Sequence, residues 1–259
     1  MTTLPDSSAF SAAFADPRFL AALAIAVLAG LVRGFSGFGS ALIYMPLIAA
    51  VYDPRVAAVT LLLIDTFGAA PFAVRAFGQC TWREVAPIFI AAAIAVPFGA
   101  MALKIVDPIV LRWFMALLVL SLLGILLSGW RYHGRPKLAY TVGVGLFSGF
   151  GGGAVQIAGP AVIVYWLGAS NSAATVRANV LVYFLLLDAL LCAVYFWQGL
   201  FTADLLALSL LLAVPFFVAT LAGAILFRGS SDLLYRRVAY AIIGTAAIIS
   251  LPLLDPWLR

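Results

Sequence analysis

The pentapeptide FSGFG occurs twice in this chain, at Phe35–Gly39 and at Phe147–Gly151. Each copy lies inside an apolar stretch that is otherwise long enough to enter a lipid bilayer. Glycine is a poor helix former, and backbone groups that are freed at bilayer depth need protein or water as partners because lipid offers none. The two copies therefore predict a duplicated membrane protein in which paired helix breaks mark the working site.

Composition places the chain among polytopic membrane proteins. Hydrophobic residues make up 65% of the 259 positions and charged residues only 10%, whereas about 25% of an average soluble domain is charged. The net charge of +5 comes from residues near the ends of apolar stretches, where it sets topology. We expect the lipid bilayer as a partner and no nucleic acid. The chain has two cysteines and one histidine and no cofactor motif, which predicts no metal and no other cofactor.

Further matches between the halves support a duplication. The tetrapeptide AVPF recurs at Ala95–Phe98 and Ala213–Phe216. The predicted parts are an N-terminal tail (1–18), a first membrane repeat (19–129), a basic cytoplasmic linker (130–137) and a second membrane repeat (138–259). Each repeat opens with a broken or re-entrant helix hairpin, predicted at 19–52 and 138–168. Three transmembrane helices follow in each repeat, near 55–77, 85–104 and 109–129 and near 174–198, 204–227 and 233–253.

Basic residues indicate how the repeats are oriented. If each broken segment returns to the side from which it entered, five basic residues lie on one face of the membrane and nine on the other. The five are Arg18, Arg55, Lys104, Arg112 and Arg259; the nine are Arg75, Arg83, Arg131, Arg135, Lys137, Arg177, Arg228, Arg236 and Arg237. A single crossing would instead give seven against seven. The positive-inside rule then puts the linker in the cytoplasm and both termini outside, which makes the repeats inverted.

The two breaks supply the candidate substrate site. A half-helix that opens after a break directs unpaired N–H groups and a positive dipole end toward it, and these features bind anions. Close helix packing is the alternative role for the glycines, and snorkelling to the interface is the alternative for Arg33. The predicted substrate-binding residues are Arg33, Ser36, Gly37, Phe38, Gly39, Ser40, Ser148, Gly149, Phe150, Gly151, Gly152 and Gln156.

Two acidic residues lie within apolar spans at equivalent places in the two halves. Asp65 follows Arg55 by ten residues and Asp188 follows Arg177 by eleven. An unpartnered charge at the bilayer centre costs about 2.5 to 3.5 kcal/mol, so neither acid is expected to face lipid. They are predicted either to couple transport to protons or cations or to join helices by hydrogen bonds. Arg55 and Arg177 begin their spans and are predicted to guide an anion inward or to gate its path.

The segments GFSGFGSALIYMPL at Gly34–Leu47 and LFSGFGGGAVQIAGP at Leu146–Pro160 resemble the two glycine-rich signatures of the sulfite exporter TauE/SafE family. The resemblance covers nearly the whole chain after Arg18. It implies a multi-pass carrier in the bacterial inner membrane for small sulfur-containing oxyanions such as sulfite or organosulfonates. In this family transport is usually outward. The first signature has Ser40 and Ala41 where the second has two glycines, so the two half-sites are expected to differ chemically.

The function predicted from these features is secondary transport of a small anion by alternating access, without enzymatic activity. Two alternatives stay open: an uptake carrier coupled to protons or sodium, for a sulfur or carboxylate anion, and a membrane-embedded enzyme acting on lipids. The sequence does not choose the anion, the direction of transport or the coupling ion. A homo-oligomer is also left open.

Overall fold

The chain is helical in a computed structural model, which describes residues 4–36, 39–128, 138–167, 172–226 and 232–254. Side chains within these ranges are described except at 35–36, 67–75, 126, 167, 173 and 232–239. No strand occurs in the described part. The helices there are α1 (Ser7–Ala15), α2 (Phe19–Ser36), α3 (Ser40–Val51), α4 (Pro54–Ala76), α5 (Trp82–Ile105), α6 (Pro108–Ser128), α7 (Leu138–Val155), α8 (Gly159–Leu167), α9 (Ala173–Trp197), α10 (Ala203–Leu226), α11 (Asp232–Ile249) and a 3-10 helix at Pro252–Leu254.

Five helices of the described part are long and apolar enough to cross a membrane. They lie at Trp82–Ile105, Pro108–Ile125, Leu138–Val155, Ala174–Trp197 and Ala203–Leu226. A sixth crossing results if α1 and α2, which meet at 90°, are counted as one bent span. The prediction of an all-α polytopic membrane protein is therefore confirmed. The inversion of the two repeats stays a prediction.

The first broken segment is a helical hairpin, because contacts at both of its ends join α2 to α3. At the break, Arg33 Nη1 donates to Ser40 Oγ over 3.2 Å. At the far end, Arg18 Cζ lies 4.4 Å from the centre of the Tyr52 ring. These contacts pair residues about 22 Å apart along α2 with residues about 18 Å apart along α3, so α3 runs back along α2. Arg18 also forms an ion pair with Asp16, and this hydrogen-bonded cation lowers the pKa of Asp16.

The second broken segment folds back in the same way. Ser148 in α7 donates to the carbonyl oxygen of Ala158 over 2.8 Å, just before α8 begins. Nearer the open end, Thr141 Oγ1 and Tyr165 Oη are 2.5 Å apart. Seven residues of α7 thus match seven residues of the returning chain, about 10 Å in each direction. In both hairpins a tyrosine at the end of the short return helix contacts the beginning of the longer helix.

The chain forms two compact units, and each combines helices from both halves of the sequence. Unit 1 comprises 1–64, 106–128 and 199–259, and unit 2 comprises 65–105 and 129–198. In unit 1 the first hairpin packs mainly through α2 against α10, and in unit 2 the second hairpin packs mainly through α7 against α5. Each hairpin is therefore held by the second unbroken helix of the other half of the sequence.

Glycines make both of these helix pairs close. In unit 1 a Cβ atom at Gly30 would lie 2.5 Å from the Phe216 carbonyl oxygen of α10, and one at Gly34 would collide with the Thr220 backbone. In unit 2 a Cβ atom at Gly145 would lie 2.5 Å from the Ile88 carbonyl oxygen of α5. Small residues four apart let helix backbones approach in this way inside a membrane.

Candidate substrate site

At the first break the structure brings Arg33, Gly39 and Ser40 together. α2 ends at Ser36, Gly39 has a left-handed φ of 99°, and α3 begins at Ser40. Glycine adopts that conformation without the steric cost that a Cβ atom would impose. As the N-cap of α3, Gly39 has no side chain to accept from the first backbone N–H groups of the helix. The half-buried Arg33 guanidinium is adjacent, 3.2 Å from the Ser40 hydroxyl.

This arrangement is suited to an oxyanion. The first turn of a twelve-residue helix provides backbone donors and the positive end of the helix dipole. A guanidinium has five N–H donors and can contact Ser40 and an oxyanion at once. Among the other residues predicted at this break, Gly37, Phe38 and the side chain of Ser36 lie outside the described part of the chain.

The prediction that the second FSGFG interrupts its helix is wrong. α7 continues from Leu138 through Gly151 to Val155, and the chain leaves helical geometry only at Gln156–Ala158. The cause is tight packing against α5: a Cβ atom at Gly149 would collide with the Ala92 backbone, and one at Gly153 with the Val96 carbonyl oxygen. Glycines at this spacing maintain a helix–helix contact, which is the alternative role that the sequence left open.

The other two glycines predicted in the second site are also constrained by neighbouring atoms. A Cβ atom at Gly151 would lie 2.7 Å from the Ile157 carbonyl oxygen, and one at Gly152 would lie 3.2 Å from Ala158 Cβ. The Ile157 N–H in turn donates to the Gly151 carbonyl oxygen over 3.1 Å. Both glycines thus allow the chain to fold back closely on α7. Since they lie inside a helix, their N–H groups do not open toward a break.

Ser148 fixes the second hairpin in this conformation. Its side chain is fully buried, and its single hydroxyl proton is donated to the Ala158 carbonyl oxygen. Its oxygen lies 2.7 Å from Tyr183 Oη, so Tyr183 is the donor in that second bond. Ser148 would have to rotate to offer a proton to an anion, and its role as a substrate donor stays a prediction.

The break in the second hairpin begins at Gln156, which has a φ of 55°. This conformation is uncommon for a residue with a side chain and carries a steric cost. Gln156 Nε2 donates to Tyr195 Oη over 3.3 Å, and Tyr195 donates to the Gly153 carbonyl oxygen over 2.8 Å. The predicted polar residue Gln156 is therefore at a strained helix end, held by a buried tyrosine.

The remaining predicted residues divide between buried and exposed positions. Asp65 and Asp188 are half-buried, and both belong to unit 2. Asp188 acts electrostatically on Tyr183 and Cys192, and Cys192 is within hydrogen-bonding reach of Thr66, the neighbour of Asp65.

Arg55 and Arg177 are exposed, each near the first turn of its helix. Phe150, predicted at the second break, keeps 39% of its surface exposed. Arg112, counted above among the basic residues at the membrane faces, is buried at 4% and donates to the Ser250 carbonyl oxygen over 3.0 Å.

The sequence reasoning missed the tyrosines that hold the second site. Tyr183 and Tyr195 are fully buried, and each is bonded to α7 or the break that follows it. Their twelve-residue separation amounts to three and a third turns, or about 120° around α9, so the spacing alone gave no signal that both contact the second hairpin. The spacing of Gly145, Gly149 and Gly153 was a signal, because three glycines at intervals of four predict a helix–helix contact.

The model of one protein family matches this chain. It is described as sulfite exporter TauE/SafE and covers residues 22–250. The chain belongs to the TauE/SafE family. No curated protein and no solved structure matches it. Membership in a family of sulfite exporters, together with five or six candidate spans, makes the chain a multi-pass membrane protein, and it confirms the resemblance inferred from the two glycine-rich signatures.

Proposed function

We propose that this TauE/SafE chain exports small sulfur-containing oxyanions across the bacterial inner membrane and that Arg33 and the first turn of α3 bind the anion. The observation that carries the proposal is the 3.2 Å contact between Arg33 Nη1 and Ser40 Oγ. It keeps a cation at the N-terminus of a helix whose N-cap has no side chain. A negative charge entering this space meets a guanidinium, a hydroxyl and backbone N–H groups.

Export of an anion needs no coupling ion. Moving one negative charge out of a negative cytoplasm is favoured by about 2.3 kcal/mol per 100 mV, which sustains roughly a 50-fold gradient. The anion would cross the membrane by alternating access, in which the hairpins of the two repeats form the paired elements. Termini on the periplasmic side and inverted repeats belong to the same proposal.

Arg33→Gln provides the sharpest test. The change removes the charge but keeps a polar side chain of similar length, and loss of a charged hydrogen bond to an anion is worth about 1.5 to 3 kcal/mol. We expect efflux of sulfite from proteoliposomes with an imposed membrane potential to fall at least tenfold. Arg33→Lys should retain part of the flux because it restores the charge without the planar fork.

Arg18→Gln is the matched control. Arg18 is 52% exposed at the other end of the same hairpin, so its neutralisation should leave sulfite flux near that of the unmodified protein. The thermal melting of each variant without ligand separates loss of flux from loss of folding. Wild-type flux in a well-folded Arg33→Gln variant would refute this site.

Coupled uptake is a second candidate, favoured by the half-buried acids in unit 2. Asp188 interacts with Cys192, which contacts the neighbour of Asp65, so both acids lie near one cluster. Uptake of an anion works against the membrane potential and requires a coupled cation. The neutral variants Asp65→Asn and Asp188→Asn should then abolish the dependence of flux on pH or sodium. If flux and its pH dependence survive in both variants, uptake coupled through these acids is excluded.

A further inference from the structure

The short helix α1 runs roughly along the plane of the membrane. It meets α2 at 90°, and α2 runs alongside α10, which is a candidate membrane span. Cβ atoms at Gly30 and Gly34 of α2 would meet the carbonyl oxygens of Phe216 and Thr220 of α10. Both pairs are four residues apart and follow the same order, so α2 and α10 run in the same direction. A helix perpendicular to α2 is therefore also nearly perpendicular to this span.

α1 lies at the membrane face where α10 begins. In the contact between α2 and α10, Gly30 lies beside Phe216. The same offset places Phe19, the first residue of α2, beside Leu205 in the first turn of α10. α1 directly precedes this point and packs against α10. Its nine residues extend over about 13 Å, less than half of the hydrocarbon core of about 30 Å, so α1 cannot cross the membrane alone.

Charged groups at both ends keep α1 out of the hydrocarbon core. Asp6 caps its N-terminus, because the carboxylate accepts from the Ser8 hydroxyl over 2.7 Å and from the Ala9 N–H over 3.0 Å. These hydrogen bonds lower the pKa of Asp6, so its side chain is ionised at neutral pH. At the other end, Arg18 pairs with Asp16 and remains 52% exposed. Charges are costly among acyl chains, so both ends of α1 lie among headgroups or in water.

The side chains of α1 form three different sides around the helix axis. Ala9 is buried at 4% and packs within unit 1. Phe10 and Phe14 are one turn apart and share a second side, where Phe14 keeps 61% of its surface exposed. Ser8 and Ser11, which are both exposed, occupy the third. One side thus meets protein, one is apolar and one is polar, which suits a helix at the boundary between lipid and water.

The apolar side of α1 is continuous with the surface that faces lipid. The ring of Phe14 meets that of Phe19 edge to face, with centroids 5.1 Å apart. Leu20, the next residue of the apolar helix α2, is 73% exposed and so contacts lipid in a membrane protein. Arg18 and Tyr52 are in contact at the same end of the hairpin, and both residue types are common at the membrane interface. Lipid that contacts Leu20 is therefore within reach of Phe14.

We propose that α1 is an interfacial helix that binds the boundary between the headgroups and the acyl chains of a phospholipid bilayer. Phe10 and Phe14 enter the acyl-chain region, and Ser8 and Ser11 face water. The side chains of 4–18 include two acids and one base, so attraction to anionic headgroups does not drive the contact. Buried apolar area drives it instead. The inference does not depend on which anion is transported.

Spin-label accessibility in the full-length protein tests this assignment. Single cysteines at residues 7 to 15, in a Cys80→Ala, Cys192→Ala background, carry a nitroxide in phosphatidylcholine vesicles. Oxygen concentrates among acyl chains and a nickel chelate in water, so the ratio of the two collision rates measures the depth of the label. We expect the depth to oscillate with a period of about 3.6 residues, with Phe14 deepest and Ser8 shallowest. It should show no steady trend along the helix.

Two substitutions at exposed positions form a matched pair. Phe14→Ser removes an apolar anchor, and we expect the collision rate of the nickel chelate with a label at Phe10 to rise about twofold or more. Ala12→Ser is the control, because Ala12 is exposed on the same side as Ser8, and it should leave that rate unchanged. A label at Val214, which is 67% exposed in the middle of α10, gives the reference for the bilayer centre. Thermal melting checks that each variant is folded.

Other outcomes would overturn the proposal. A depth that increases steadily from 7 to 15 would make α1 the first part of a bent span. High access of the chelate at every position would place α1 in water, and low access of both reagents at Phe10 and Phe14 would mean that protein covers this side. Unchanged access in a folded Phe14→Ser protein would contradict the anchor. The pattern should be the same in vesicles that also contain phosphatidylglycerol, and a pattern that requires this anionic lipid would show that headgroup charge holds the helix.

Discussion

At the scale of the residue, the glycines of the second hairpin have a structural explanation that a substitution can check. Gly149→Ala would make a Cβ atom collide with the Ala92 carbonyl oxygen of α5. The clash is between two helix backbones, α7 and α5, and neither can shift without disturbing its own packing. Overpacking of this kind costs about 1 to 3 kcal/mol. We expect a lower melting temperature in detergent, with sulfite flux reduced only in proportion to the folded fraction.

Gly143→Ala is the control in the same helix. A Cβ atom at Gly143 would meet nothing within 4 Å, and replacing glycine by alanine at an unstrained helical position stabilises by about 0.4 to 1 kcal/mol. Its melting temperature should therefore stay or rise. If the Gly149→Ala protein melts like the unmodified protein but loses sulfite flux, the packing role is contradicted and Gly149 acts in substrate binding.

At the scale of the element, the sequence predicted the helical hairpins but not the position of both breaks. Apolar length and the duplicated motif were sufficient to predict two broken segments, and the first break coincides with its glycines. The second lies five residues beyond Gly151, at Gln156. The pentapeptide alone does not show whether its glycines form a break in the helix or pack against another helix. The outcome depends on α5, which lies about fifty residues earlier in the sequence.

The candidate site shows the same limit. Arg33 and Ser40 were predicted together because they flank one short break, and a local contact can be read from local sequence. Tyr183 and Tyr195 bond to α7 across 35 and 42 residues, and single-sequence reasoning has no means of pairing residues so far apart. The close packing of glycines was visible as spacing, but the partner helix was not.

At the scale of the whole molecule, contacts within unit 2 bear on how the chain crosses the membrane. The Thr81 N–H donates to Asn179 near the starts of α5 and α9, and Lys104 Nζ donates to the Gln198 carbonyl oxygen at their ends. The two helices are therefore parallel. If α6 crosses back after α5, α9 can run parallel to α5 only when the second hairpin returns to the side from which it entered. A returning hairpin and three crossings would give an odd number, as the prediction of inverted repeats requires.

This topology makes a prediction for single cysteines introduced into a Cys80→Ala, Cys192→Ala background. With the basic linker in the cytoplasm, cysteines at Thr3 and at Thr202 should react with a membrane-impermeant maleimide added outside intact cells. A cysteine at Gln79, between α4 and α5, should react only after the membrane is opened. Gln79 and Thr202 precede equivalent helices of the two repeats, α5 and α10, so opposite labelling of this pair is the direct signature of inversion. Labelling of both from outside would mean that the halves are parallel, and the paired hairpins could not then work as opposite gates.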